Sequence, residues 1–359
     1  MGIVFAPFIL RFNRKGQLPF LKAFSRLDWP GIVLFTGGVS SCLVGISWGG
    51  ERYPWTSYHI VTLLTIGGLL TSLSVLYEVR WAPRPFLKPY LYQNYSCIAL
   101  ATGTFLQGFL VGSRLPLFTT HLARLADHSQ LYLAICLWNL YFAGAKAMSS
   151  LGFGIALLPA MAATTFASIA TGFFLSKSNR YKVLLIFAAA TITVGNTLVL
   201  YLWNTNTPKA VWAATQLVLG LGHGVFMISG NFTLQSHVDA KDSAGVAASL
   251  TFLRALGMAC GAGMGGAIFQ NRLTFWLKDE GLPATIAKNI QAHIPTLNMH
   301  LSGAQSAHVR AVRTAIVKAH QNVFEGCVVI GGIVFLLVIV VKEVNAKKHY
   351  ASIGGAPGG

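Results

Sequence analysis

Three ionisable side chains fall inside otherwise apolar stretches of this chain, where a charge is costly and by default points to a function. Arg254 lies ten residues into the run 244–269, with Thr251 one turn before it and a glycine-rich segment after it. A cation in that setting suits a cavity, where it binds a substrate or couples its movement, or a structural bond to a backbone carbonyl or another helix. His223 stands between Gly222 and Gly224. It reads as a proton relay or as a hydrogen-bonded histidine at a close helix contact. Glu325 stands one turn inside the last apolar run and reads as an interfacial group. The other acids, Asp28, Glu51, Glu78, Asp127, Asp239, Asp242, Asp279, Glu280 and Glu343, all avoid the centres of apolar runs.

Enzyme chemistry finds no foothold. The ten histidines form no HxxxH or HxxE on an apolar run, and GxxxxGK does not occur. The five cysteines, Cys42, Cys97, Cys136, Cys260 and Cys327, show no CxxC or metal-like spacing and read as small buried hydrophobes. No catalytic residue, metal site or cofactor is expected. Small residues carry a different signal. Gly257, Gly261 and Gly265 recur every four residues, which puts them on one helix face and lets a neighbouring helix approach or slide. Pro159, with Gly152 and Gly154 before it, marks a run that should kink and line a path.

These residues must be positioned by membrane-spanning helices. Of the residues 54% are hydrophobic and 10% charged, whereas a soluble domain carries about a quarter of its residues charged. The mean hydropathy is +0.58. A span needs about 20 apolar residues, and eight runs qualify, at about 31–49, 60–79, 95–113, 151–175, 183–203, 210–234, 244–269 and 323–341. A shorter run at 131–145 is broken by Asn139 and reads as a surface or re-entrant segment. The formal charge of +17 comes from basic residues between the runs. That placement fits membrane orientation rather than nucleic acid, and cationic loops in alternation put both termini in the cytoplasm.

Four places resemble one family. DWPG (Asp28 to Gly31) precedes a run ending in SWGG (Ser47 to Gly50) and leads on to YPW (Tyr53 to Trp55). Next come Tyr77 and Glu78 with Ala82, Pro85, Phe86 and Pro89, then LGFGIALLP (Leu151 to Pro159) followed by Gly172 and SKSNRYK (Ser176 to Lys182). Last are GLGHG (Gly220 to Gly224), Arg254 and GMACGAGMGGAIF (Gly257 to Phe269). Together they resemble the fourteen-helix drug:proton antiporter branch of the major facilitator superfamily, fungal efflux-pump type, over its helices seven to fourteen.

The resemblance implies a partial major facilitator fold, all-α, with the six-helix N-terminal half missing. It divides the chain into 1–29 (the tail of a preceding helix and a basic loop), 30–94 (two linker spans and a basic, Pro-rich loop), 95–269 (core spans, with 112–148 an atypical insertion), 270–321 (a long non-cytoplasmic loop) and 322–359 (last span and tail). Gly172, Lys177, Arg180 and Lys182 would form the family's cytoplasmic signature loop, although Ser176 stands where the usual acid would be and Asn179 where the usual glycine would be. The implied activity is proton-coupled efflux of small organic molecules such as drugs, toxins or secondary metabolites, by a multi-pass protein of the plasma or vacuolar membrane. Its partners are then a small organic substrate, protons and lipid, with a missing N-terminal half or a second copy completing the machine. The alternative is a truncated or regulatory membrane fragment that does not transport. In the stretch 112–130 the resemblance fails, and an unspliced intron or a tolerated outer loop would each explain it.

Overall fold

A computed structural model describes residues 28–50, 52–81, 94–113, 138, 140–178, 180–238, 243–283, 286 and 304–342. Among them lie eight helices, α1 (Trp29–Trp48), α2 (Tyr58–Arg80), α3 (Tyr95–Gly112), α4 (Ser150–Ser178), α5 (Tyr181–Leu202), α6 (Lys209–Ser236), α7 (Ser243–Asp279) and α8 (Ala304–Val340), and one π-helical turn, Leu140–Ala145. All eight helices are long and apolar enough to cross a membrane. No strand occurs among the described residues, and the architecture is that of an all-α, multi-pass membrane protein. Lipid offers no hydrogen bonds, so each span satisfies its backbone internally. Local signals set where some helices begin. The Asp28 carboxylate accepts from the Gly31 amide at 3.3 Å ahead of α1, and the Ser57 hydroxyl accepts from the Ile60 amide at 3.4 Å ahead of α2.

The last two helices outgrow the bilayer. Each has 37 residues, about 55 Å at 1.5 Å per residue against a hydrocarbon core of about 30 Å. Their extra turns occupy much of the stretch 270–321 that the sequence reads as loop. A count of uncharged residues stops at the first polar ones, yet apolar positions continue at helical spacing. Phe269, Leu273 and Leu277 on α7 and Val312, Ala315, Ile316 and Ala319 on α8 are all buried. The Trp276 indole N–H donates to Asn322 at 2.9 Å, and Lys318 pairs with Glu280 at 3.2 Å, tying the two extensions together.

The run 131–145 also differs from a surface segment where it is described. Trp138, Tyr141 and Phe142 are almost wholly buried, with the π turn packed against α8 and α4. Residues 1–27, 82–93, 114–137, 287–303 and 343–359 lie outside the described residues. With them lie the basic and Pro-rich loops, most of the insertion, the middle of the long loop and the C-terminal tail.

Helices α1 and α2 form a tight hairpin. A Cβ on Gly38 would press on the Thr71 backbone, and one on Gly67 on Cys42. The hairpin attaches through α1 to α7, where the Phe35 and Phe252 rings sit 5.4 Å apart. The other six helices form a bundle with α3 at its centre. Of the α3 span 61% is buried, against 17% of α4, so α3 meets neighbours on several sides, namely α6, α7 and α8.

Candidate functional site

The sequence singles out Arg254 and His223, and the fold brings both to one side chain on α3. Arg254 Nε–H donates to Gln107 Oε1 at 3.3 Å, and Gln107 Nε2 lies 3.0 Å from His223 Nδ1. The three come from different helices at matching depth. Gln107 is twelve residues from the start of α3, Arg254 eleven from the start of α7 and His223 thirteen from the end of α6. Since α3 and α7 run opposite to α6 on the expected topology, each lies about 16 to 20 Å from the same membrane face. That is near the bilayer midplane.

Glycines make this meeting possible. A Cβ on Gly257 would collide with the Phe105 carbonyl and one on Gly261 with the Phe109 carbonyl. On the facing helix, Gly108 touches the Arg254 backbone and Gly112 the Met258 backbone in the same way. Two GxxxG faces therefore cross, as small-residue contacts do between membrane helices, and they hold the Arg254 backbone against α3 one residue from Gln107. His223 is held similarly. Gly220 and Gly224 of α6 meet the Ala160 and Thr164 carbonyls of α4, while Gly222 meets Ile192 of α5. Pro159 precedes Ala160 inside α4, where it withholds one helical N–H from its own turn.

The hydrogen-bond polarity follows from the chemistry of the groups. A guanidinium can only donate, so the amide atom facing Arg254 is the oxygen. The atom facing His223 is then the amide nitrogen, which can only donate as well. His223 Nδ1 must therefore carry a lone pair, and the imidazole is neutral with its proton on Nε2. Gln107 is 3% exposed and His223 9%, so water does not readily replace these partners. Arg254 itself is half-buried. Among the described residues Gln107 is its only polar partner. A central intramembrane cation costs about 2.5–3.5 kcal/mol on insertion scales, and one hydrogen bond to a charged group returns about 1.5–3 kcal/mol. The guanidinium is incompletely compensated.

Other expected positions fall elsewhere. Gly265 is buried, whereas Gly152 contacts only Ser149 and Met148 at the start of its own helix. Gly154 and Gly172 meet nothing within 4 Å among the described residues, so neither brings two of these helices together. Their exposed face on α4 is the reason. Lys177 ends α4, and Arg180 caps α5 just before Lys182. Their side chains form no ion pair among the described residues. A separate cavity of about 650 Å³ opens beside the end of α1, the second half of α7 and the middle of α8, lined by Trp55, Met264, Asn271, Arg272 and Glu325 among others. Met264 is ten residues, or about 15 Å, along α7 from Arg254, so that opening is distinct from the polar cluster.

Gln107 escapes a sequence reading that weighs only ionisable groups. The signal was present as an uncharged amide within an apolar run, next to the GxxxG of Gly108 and Gly112.

Comparison with known proteins gives this arrangement a context. The family described as "Fungal trichothecene efflux pump (TRI12)" matches residues 13–111. The chain is 27% identical over 275 residues to "MFS transporter L2" of a Phoma species, which covers 76% of this chain and 42% of that protein. It is 26% identical to "Efflux pump roqT" of Penicillium rubens over 89% of this chain and 56% of that protein. To the "Acurin A biosynthesis cluster MFS-type transporter" of Aspergillus aculeatus it is 24% identical, over 94% of this chain and 58% of that protein. The chain spans about half the length of the curated relatives it matches.

Proposed function

We propose that this chain, which belongs with the MFS-type efflux transporters, takes part in proton-coupled export of small amphipathic organic molecules, with Arg254 meeting the substrate and His223 carrying the proton. The observation that supports this most is the Arg254–Gln107–His223 chain, held by close helix crossings near mid-membrane. Relatives named as efflux pumps, and one named for a biosynthesis cluster, favour secondary metabolites as the cargo.

The coupling follows from the amide. A proton added to His223 Nδ1 turns it from acceptor to donor, and Gln107 must then turn to offer its oxygen. Its nitrogen would face Arg254 Nε–H, donor against donor, and the hold on the guanidinium would be lost. The protonation state of one helix thereby sets the position of a cation on another. No acid stands at the centre of an apolar run in this sequence, which leaves histidine as the group able to exchange a proton near neutral pH at that depth. On this reading a second helical body completes the path, as a further segment of the polypeptide or a second copy, and rocks against this one in the manner of such transporters.

The test is uptake of a fluorescent amphipathic dye into inside-out vesicles from cells expressing the complete gene, driven by an imposed pH gradient. The expected result is uptake that an uncoupler abolishes and that His223→Ala lowers at least about tenfold, in line with losing one proton-transfer group. Uptake indifferent to the uncoupler would overturn the coupling.

A further inference from the structure

We infer that the group Arg254 receives is an anion, so that the cargo is an organic acid, an amphipathic molecule bearing a carboxylate or an acidic enol or phenol. This rests on the export reading and narrows it.

Four features carry the inference. First, the Arg254 Nε–H is committed to Gln107, which leaves the four N–H groups of the two Nη nitrogens. Together they form the end-on fork that fits a carboxylate with two parallel hydrogen bonds. Second, among the described residues no carboxylate meets Arg254, and the acids of the sequence avoid the centres of the apolar runs. The counter-charge therefore has to come from outside this set of side chains. Third, approach is open. Thr251 and Ala255, at neighbouring positions on the same helix, are small and exposed. Fourth, Met258 of α7 is only partly buried and stands one turn on from Arg254 on the same helix face, providing apolar surface beside the cation.

Gln107 makes this a prepared site, because the amide orients the guanidinium and adds no charge of its own. Neutral His223 leaves that positive charge undiluted by any acid. A neutral metabolite of the same shape would gain the apolar contacts without relieving the cation. An organic acid gains both.

The experiment compares two probes of nearly equal shape, naphthalene-2-carboxylate and naphthalene-2-carboxamide, binding to the full 359-residue chain in lipid nanodiscs, with empty nanodiscs subtracted. The carboxylate is expected to bind at least tenfold more tightly than the amide. In Arg254→Gln this preference should vanish, and in Arg254→Lys, which keeps the charge without the fork, part of it should remain. Equal binding of the two probes by the unaltered chain overturns the inference without recourse to any variant, as does a preference that survives Arg254→Gln in a protein that still elutes as a single species. The two readings can fail separately. Export with no preference for the carboxylate would sink the anion site and leave transport standing, whereas a strong preference without gradient-driven uptake would do the reverse.

Discussion

Two polar regions of this bundle are built on opposite plans. In the first, where α3, α6 and α7 meet, three side chains share two hydrogen bonds and a cation stays half-compensated. The second lies at the other end of α5 and α6, around the π turn. There Lys146 donates to the Thr205 and Thr207 carbonyls at 2.8 Å, Tyr141 to the Asn204 carbonyl at 2.9 Å and Gln321 to the Trp203 carbonyl at 3.1 Å. The Trp203 indole donates to Thr215 at 2.8 Å and lies parallel to the His320 ring. Backbone carbonyls of the 202–207 turn are thus met by donors from two other segments, the π turn with Lys146 and α8, and aromatic rings fill the space between. The second region is fastened, while the first keeps a choice of partners. Fixed closure at one end and exchangeable bonds in the middle is the division of labour that the proposed transport would use.

The largest expected effect tests the fastened end. Trp203 is fully buried against Trp138, Tyr141, Phe142 and His320. Trp203→Ala should therefore cost about 3–5 kcal/mol, read as a lowered melting temperature in detergent. A loss under about 1 kcal/mol would mean that this cluster is not the clamp its geometry suggests. Gly257→Val tests the crossing that carries the middle region. A side chain there meets the Phe105 carbonyl, and overpacking of this kind costs about 1–3 kcal/mol. Because α3 and α7 would be pushed apart, carboxylate binding should fall as well, and unchanged binding would uncouple the glycine face from the site. Lys146→Met keeps the apolar stem but removes two charge-assisted bonds. It should cost about 1–2 kcal/mol, with dye export still coupled to the gradient. A shift in that coupling would show that the outer clamp moves during transport.

Residue type explains what the sequence revealed and what it hid. The eight spans were legible because lipid demands long apolar runs, and a run such as 183–203 coincides with α5 to within two residues. The extensions of α7 and α8 were hidden because outside the bilayer a helix needs only one apolar stripe, which Leu273 and Leu277 provide among polar neighbours. Arg254 and His223 stood out as ionisable groups within apolar runs. Gln107 did not, since an amide bears no charge and its importance lies in having one end that accepts and one that donates. Nor could Gly108 and Gly112 be matched to Gly257 and Gly261 before α3 and α7 were known to cross. Spacing alone also cannot tell a glycine at a contact from one such as Gly172, which meets no described atom within 4 Å.

The smallest expected change in stability belongs to the substitution that bears most directly on function. Gln107→Glu keeps the size of the side chain and its acceptor toward Arg254, and the cost of burying its carboxylate is offset by pairing with the cation, so folding should change little. Its chemistry differs in one respect, since a carboxylate accepts at both ends. His223 Nδ1 must then bear a proton, and adding a proton no longer costs Arg254 its acceptor, so the pH profile of export should move. The same carboxylate supplies Arg254 with the counter-charge it lacks, so naphthalene-2-carboxylate should bind at least about tenfold more weakly, a change of about 1.4 kcal/mol. Measured together, the two readouts separate a working amide from a structural one. If the profile stays in place while the protein remains folded, Gln107 does not link proton to cation, and the middle of the bundle is as fixed as its end.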